Sequence, residues 1–159
     1  MAPAPDLITQ TLRAHAVRLT PGRLAVLDVL LAAPYALSGT EIEQRVRAAV
    51  DRATMFRTLR LLEQKQLIHR VADYAETVRY AAAPALRQAA PTPPLPPEHV
   101  HLKCTVCQHL FCLPHVPVPA VPEAGGLRIS RHDCLLSGVC AQCQEAAEAP
   151  GPLGAAEPT

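Results

Sequence analysis

Two cysteine pairs constrain this chain more than any other feature: Cys104-Thr-Val-Cys107 and Cys140-Ala-Gln-Cys143, with 32 residues between them. A Cys-x-x-Cys turn aims two sulfurs at one ion, and two such turns make a closed tetrahedral Zn²⁺ site. In a unit of about fifty residues with a thin apolar core, a staple of this kind decides whether the unit folds. The other readings of the four cysteines are incidental burial or a redox pair. A redox dithiol wants a thioredoxin-like βαβ context, and none is visible. Residues 1–6 carry no basic n-region or apolar h-region, so no secretory signal is read. The longest apolar run, residues 29–37, is interrupted by Pro34 and falls far short of the ~18 residues of a membrane span. The expectation is a cytoplasmic protein with no membrane partner, its cysteines in a reducing compartment where paired thiols bind metal rather than form disulfides.

The 159 residues carry a net charge of +1, but the two halves differ. Residues 1–80 hold 11 Lys/Arg and 8 Asp/Glu; residues 81–159 hold 4 and 6, with all six cysteines and five of the seven histidines. The first part is mildly basic and the second is rich in metal ligands, which suggests two functional units. The first reads as helices. Residues 7–17 give a weak helical signal. Thr20-Pro21 is a helix start, with Thr capping free N–H groups and Pro at the first helical position, and that helix ends near Pro34. Ser38-Gly-Thr-Glu41 fits a capping box and opens a helix through Ile42, Val46 and Ala49. Asp51 caps a fourth helix, residues 52–66, whose stripe Met55, Leu59, Leu62 faces a core. The period then becomes strand-like at residues 67–71 and 77–81 around a polar turn, residues 72–76. Helices followed by a two-stranded ribbon is the layout of a winged helix-turn-helix, with the fourth helix set to enter the DNA major groove.

Pro84, Pro91, Pro93, Pro94, Pro96 and Pro97 mark a stiff, extended spacer. Strand-like pieces follow at residues 99–104, 109–113 and 127–136, while Pro114, Pro117, Pro119 and Pro122 forbid a helix between the last two. The expected domains are a winged-helix DNA-binding domain at 1–84, a proline-rich hinge at 85–97, a dimerisation and metal-binding domain at 98–145 and a disordered tail at 146–159. The fold class is α+β, with a small α/β second domain holding the four-cysteine zinc site.

A second ligand cluster is looser. His99 and His101 are two apart on a strand, so both rings face one side while Val100 and Leu102 face the other. Cys112 can converge on that side, and His69 can reach in from the wing; such a set suits Zn²⁺ better than Fe²⁺ held by oxygen donors. A metal there would join the two units across the linker, as a metal-operated switch requires. Against this, His69 reads equally as a wing residue near phosphate or solvent, Cys112 as a small buried hydrophobe, and His99 and His101 as surface strand residues. His109 and His115 read as exposed. His132, with Glu98 or Asp133, is a candidate for a further site, and Cys134 reads as core. In the fourth helix Arg52, Thr54, Phe56, Arg57 and Arg60 are the side chains that can meet DNA, Arg on phosphate or guanine and an apolar ring on a thymine methyl. Arg18 is a weaker candidate for a phosphate or minor-groove contact. An ordinary solvated basic face is the alternative for all of these.

Five stretches occur in order: Arg18-Leu-Thr-Pro-Gly-Arg23, Ala53-Thr-Met-Phe-Arg-Thr-Leu59, Leu62-Glu-Gln-Lys-Gln-Leu-Ile-His69, His99-Val-His-Leu-Lys-Cys-Thr-Val-Cys107 and Leu136-Ser-Gly-Val-Cys-Ala-Gln-Cys143. Together they resemble the ferric uptake regulator (Fur) family of bacterial metal-dependent repressors, and the stretch 99–113 looks most like a Bacteroidetes-type subgroup. The resemblance implies a winged helix, a C-terminal dimerisation domain, and a homodimer that binds double-stranded operator DNA when a hinge metal is present. It places Phe56 at the usual recognition-helix Tyr and Arg57 at the following Arg. It matches Cys104, Cys107, Cys140 and Cys143 to structural zinc ligands, and His99 and His101 to regulatory ligands. Cys112 stands where iron-type members have a Glu, and His69 where zinc-sensing relatives place a ligand. The His that iron-type members carry before the third helix is absent, as is their acid after the second wing strand. Zn²⁺ is therefore expected at both sites, ahead of Fe²⁺ at the regulatory one. An iron-responsive repressor and a peroxide sensor are the alternatives within the family, and a zinc-storage or adaptor protein outside it. An enzyme is not expected: a zinc deaminase needs His-x-Glu and Pro-Cys-x-x-Cys, and neither occurs. Nor does a Gly-rich loop or acidic pair support Cys112 as a nucleophile.

Overall fold

The computed structural model describes residues 5–72, 77–87, 99–120, 125–126 and 133–148. Helix α1 (Pro5–Ala14) buries Ile8 and Leu12, four apart on one face. Helix α2 (Pro21–Ala32) begins where the sequence indicates: the Thr20 hydroxyl accepts the Arg23 N–H, and Pro21 occupies the first turn. It ends as the chain turns extended at Ala33, before Pro34. A two-residue strand, β1 (Leu37–Ser38), runs into α3 (Gly39–Val46). The capping box is complete: Ser38 accepts the Glu41 N–H at 3.2 Å, and the Glu41 carboxylate accepts the Ser38 N–H at 2.8 Å. Helix α3 stops at Val46, short of the expected Ala49; residues 47–49 form a turn, and Asp51 then caps α4 (Arg52–Gln64) through the Thr54 N–H.

Helix α4 leaves through Gln66, whose φ of 57° is left-handed, and the Leu67 N–H closes on the Leu62 carbonyl. That 6→1 closure is normally made by glycine. It turns the chain into β2 (Ile68–Ala72), which pairs antiparallel with β3 (Val78–Ala82). Strand β1 joins the other edge of β3, giving the order β1-β3-β2. Of the expected turn at 72–76, residues 73–76 lie outside the described residues. Leu12, Leu27, Leu30, Leu37, Ile42, Met55, Leu59 and Leu62 are buried in one cluster that fixes α4 to α2 and leaves its arginine face outside. The expected two-stranded ribbon thus has a third strand, supplied by the loop before α3.

Beyond a single 3₁₀ turn at Pro84–Arg87, the proline-rich spacer lies outside the described residues. The second sheet has the order β5-β4-β6: β4 (Val100–Cys104) pairs antiparallel with β5 (Leu110–Leu113) and parallel with β6 (Cys134–Gly138). The described residues between β5 and β6 contain no helix, as the prolines require. Strand β6 begins at Cys134; the expected strand from 127 to 132 falls outside the described residues. Helix α5 (Ala141–Glu148) follows Cys140 at once. It extends three residues into the segment expected to be disordered, because Glu145-Ala-Ala-Glu148 are helix formers and the first breakers come only at Pro150-Gly151-Pro152.

The two units touch. The Ala36 N–H donates to the Leu110 carbonyl at 2.8 Å, and buried Ala36, Val71, Ala81 and Leu110 form a small shared core with Cys112 and Leu135 against it.

Candidate metal centres and nucleic-acid interface

Four cysteines converge where β4 ends, β6 ends and α5 begins. The first knuckle folds back sharply: Gln108 is left-handed at φ 63°, its N–H returns to the Cys104 carbonyl, and the Cys104 N–H pairs with the His109 carbonyl. The second knuckle is the first turn of α5, where the Cys143 N–H reaches the Cys140 carbonyl. The sulfurs of Cys104, Cys107, Cys140 and Cys143 all lie within 4.8 Å of one another. The Cys104 sulfur accepts the Cys140 N–H at 3.4 Å and the Cys107 N–H at 3.5 Å. The Cys140 N–H, foremost, outweighs burial and holds the Cys104 thiol down at about 6. Cys143 is pushed up to about 12 by the Cys140 thiol, burial and the other sulfurs. Cys107 is pushed up too: the His109 N–H favours its thiolate, but burial and the Cys104 and Cys140 thiols outweigh it. Four sulfurs this close cannot all be charged unless a cation sits among them.

The looser cluster also assembles. The Nε2 atoms of His69 and His101 are 3.3 Å apart, and the Cys112 sulfur is 3.5 Å from His69 Nε2. His99 completes the group, its ring centroid 4.7 Å from that of His69 and 4.5 Å from that of His101. One ligand atom from each of the four lies within 4.8 Å of every other. With Zn–N near 2.05 Å and Zn–S near 2.3 Å, the edges of a tetrahedron are about 3.3 Å for N–N, 3.6 Å for N–S and 3.8 Å for S–S. The two distances above match the first two, and the Cys107–Cys140 sulfur separation of 3.8 Å matches the third. Both donor sets therefore fit a tetrahedral borderline-soft ion, and among the described residues neither contains a carboxylate.

The topology accounts for the second cluster. His101 and Cys112 are direct cross-strand partners on β4 and β5, and His99 immediately precedes β4. His69 comes from β2, in the other unit. Cys112 also lines a cleft of about 150 Å³ between the units, beside Pro34, Tyr35 and His115.

Other expected residues are placed less completely. Glu98 and His132 lie outside the described residues. His115 is exposed, and Cys134 is half-buried on β6 opposite Val100 rather than in a core, because β6 is an edge strand. His109 is not the exposed residue expected: its ring stacks on Tyr35 from the other unit at 3.6 Å. Spacing gave no clue to that contact, since Tyr35 and His109 carry no shared motif.

On α4, Arg57 and Arg60 stand exposed one turn apart, with Arg57 Nη2 donating to the Thr54 hydroxyl at 3.0 Å. Arg52 pairs with Glu43 and lies over the Phe56 ring, 5.4 Å from its centre. Phe56 is half-buried against Gly39, where an added Cβ would sit 3.2 Å from the ring. It is therefore packed at the start of α3 rather than freely projecting. Arg18 is exposed, and its carbonyl accepts from Arg23.

A basic α4 on a winged helix, beside one ligand cluster in the second unit and another shared between the units, defines a metal-responsive DNA-binding protein. The profile of the Ferric uptake regulator family matches residues 14–118, and the chain belongs to that family, whose members are transcription regulators rather than enzymes. No curated protein matches. Among solved structures, a zinc uptake regulator complexed with zinc and DNA is 20% identical, with a TM-score of 0.62 over 89% of this chain and 95% of that one. The holo form of XcZur is 20% identical, with a TM-score of 0.60 over 89% and 99%. The Helicobacter pylori ferric uptake regulator is 19% identical, with a TM-score of 0.55 over 90% and 95%. No helix among the described residues is long and apolar enough to cross a membrane.

Proposed function

We propose that this chain is a cytoplasmic, homodimeric repressor of metal-homeostasis genes that binds its operator when zinc-loaded. The observation that carries the reading is the His69, His99, His101 and Cys112 cluster, with one ligand from the DNA-binding unit and three from the other. An ion held there would favour the docked arrangement only by binding it better than the undocked one. Three imidazoles and a thiolate, with no carboxylate among the described residues, favour Zn²⁺ over Fe²⁺. Cys104, Cys107, Cys140 and Cys143 would hold a second, structural zinc. That ion would supply folding free energy by locking β4 to α5. Arg57 and Arg60, with Arg52, Thr54, Phe56 and Arg18 around them, would form the DNA-facing surface of residues 1–84. Residues 85–97 would act as the hinge, and residues 98–145 would dimerise. Val106, Leu136 and Val139 of the second unit are exposed, and such a dimer would cover apolar side chains of this kind.

The test is operator affinity measured with free Zn²⁺ and Fe²⁺ each buffered, on a duplex selected from random sequence by the loaded protein. The expected result is at least tenfold tightening by zinc. Equal affinity with and without metal would end the sensor reading; tightening by iron alone would overturn the metal assignment.

A further inference from the structure

The two units are also held together at a place that involves no candidate ligand. Tyr35 lies in the loop between α2 and β1, and His109 lies at the end of the turn from β4, directly before β5. Their rings stack at 3.6 Å and are parallel to within 7°. Phe111 closes the group edge-on, 6.2 Å from Tyr35 at 73° and 6.4 Å from His109 at 74°. Next to Tyr35, the Ala36 N–H donates to the Leu110 carbonyl between those two rings, and both Ala36 and Leu110 are wholly buried. The clamp and the metal cluster share their strands. β5 carries Phe111 and Cys112 side by side, and β2 carries His69 two residues from Val71 of the shared core.

We infer that Tyr35, stacked on His109 and Phe111, is a positioning residue that sets the zinc threshold of the interunit site. The inference rests on the reading of His69, His99, His101 and Cys112 as a zinc site. A cluster split between two bodies binds with an apparent affinity equal to its intrinsic affinity multiplied by the fraction of molecules already docked. A metal-independent aromatic contact raises that fraction before any ion arrives. It therefore lowers the zinc concentration at which the switch operates without contributing a ligand. A contact of this geometry accounts for roughly a 3–10-fold effect.

The experiment measures zinc affinity for the second equivalent by chelator competition, in the full chain and in Tyr35→Ala, Tyr35→Phe, His109→Ala and the Tyr35→Ala/His109→Ala double variant. Tyr35→Ala and His109→Ala are each expected to weaken that zinc about 3–10-fold. The double variant should be no weaker than either single, Tyr35→Phe should stay within about twofold of wild type, and all should keep the first zinc. Proton NMR on the wild type, with and without the second zinc, supplies a readout independent of the variants' folding: the His109 ring protons should be shifted upfield by the stacked Tyr35 when the second zinc is bound, and by a smaller amount set by the docked fraction when it is not. Unshifted His109 protons, an unchanged affinity in Tyr35→Ala, or additive losses would overturn the inference. Weakening in His109→Ala alone would do so too, by making His109 a ligand. Failure of the zinc-site reading looks different: wild type would then take up no second zinc that His69→Ala weakens.

Discussion

Replacing His69 by Ala should separate metal binding from metal response. His101 and Cys112 are cross-strand partners and His99 adjoins them, so three of the four candidate ligands are pre-assembled on one hairpin. Of the four, His69 alone comes from the winged-helix unit, 3.3 Å from His101 and 3.5 Å from Cys112. Losing even an outer partner of a ligand costs about 10–100-fold in metal affinity, so losing a ligand costs about 100-fold, or about 2.7 kcal/mol. In the intact protein that same factor is the ion's preference for docked over undocked units. It suffices to move a docked-to-undocked ratio from about 1:10 to about 10:1. The docked fraction then rises about tenfold, and operator affinity with it. In His69→Ala the ion still binds the hairpin, about 100-fold more weakly than it binds the docked site and so about tenfold more weakly than the wild type as measured, but joins nothing. Fluorescence anisotropy with a labelled operator should show the variant's affinity changing less than about twofold between chelated and zinc-saturated protein. Cys112→Ser should instead weaken zinc while preserving the response once zinc is saturating. A His69→Ala protein that gains as much operator affinity from zinc as wild type would refute the reasoning.

Three further outcomes follow from the same structure. Burial opposes the Glu41 charge, but Ser38, Arg79 and Arg45 hold its carboxyl below the ordinary 4.5; the stability it contributes is therefore present above that value and lost as pH falls through the lowered one. Glu41→Gln should flatten the acid limb of the stability profile, and at neutral pH should cost about 1 kcal/mol, seen as a melting temperature lower by roughly 2–4 °C. Because Cys107 and Cys143 are both pushed up, filling the four-cysteine site at pH 7 should release at least two protons. Calorimetry in buffers of different ionisation enthalpy measures that number, and release of one or none would contradict the thiol assignments. Arg57→Ala should weaken operator binding about tenfold and leave zinc affinity unchanged; a matching loss of zinc affinity would mean that Arg57 acts on the fold instead.

The helices of the first unit were legible because their ends carry local chemistry. Thr20-Pro21, Ser38 with Glu41, and Asp51 each satisfy free N–H groups with atoms a few residues away, and the structure places the caps at those residues. The cysteine cluster was legible for a similar reason, since each Cys-x-x-Cys is a local turn. His99, His101 and Cys112 could be grouped from strand periodicity, and His69 came from its place in the wing. What the sequence concealed is long-range and lacks a motif. Strand β1 is two residues long and exists because β3 offers it an edge. The Tyr35–His109 stack joins residues whose neighbours predict nothing about each other. Helix α5 was missed altogether: the second Cys-x-x-Cys was read as a turn, and the Pro and Gly of the tail masked the short Ala-rich stretch before them.

The central claim is that one zinc ion is shared by both units. The most direct measurement is zinc K-edge X-ray absorption on protein whose cysteine site is filled with cadmium and whose second site holds one equivalent of zinc. The expected shell is three nitrogen ligands near 2.05 Å and one sulfur near 2.3 Å, with one nitrogen lost in His69→Ala. A sulfur-free shell of nitrogen and oxygen, or a spectrum unchanged by His69→Ala, would contradict it.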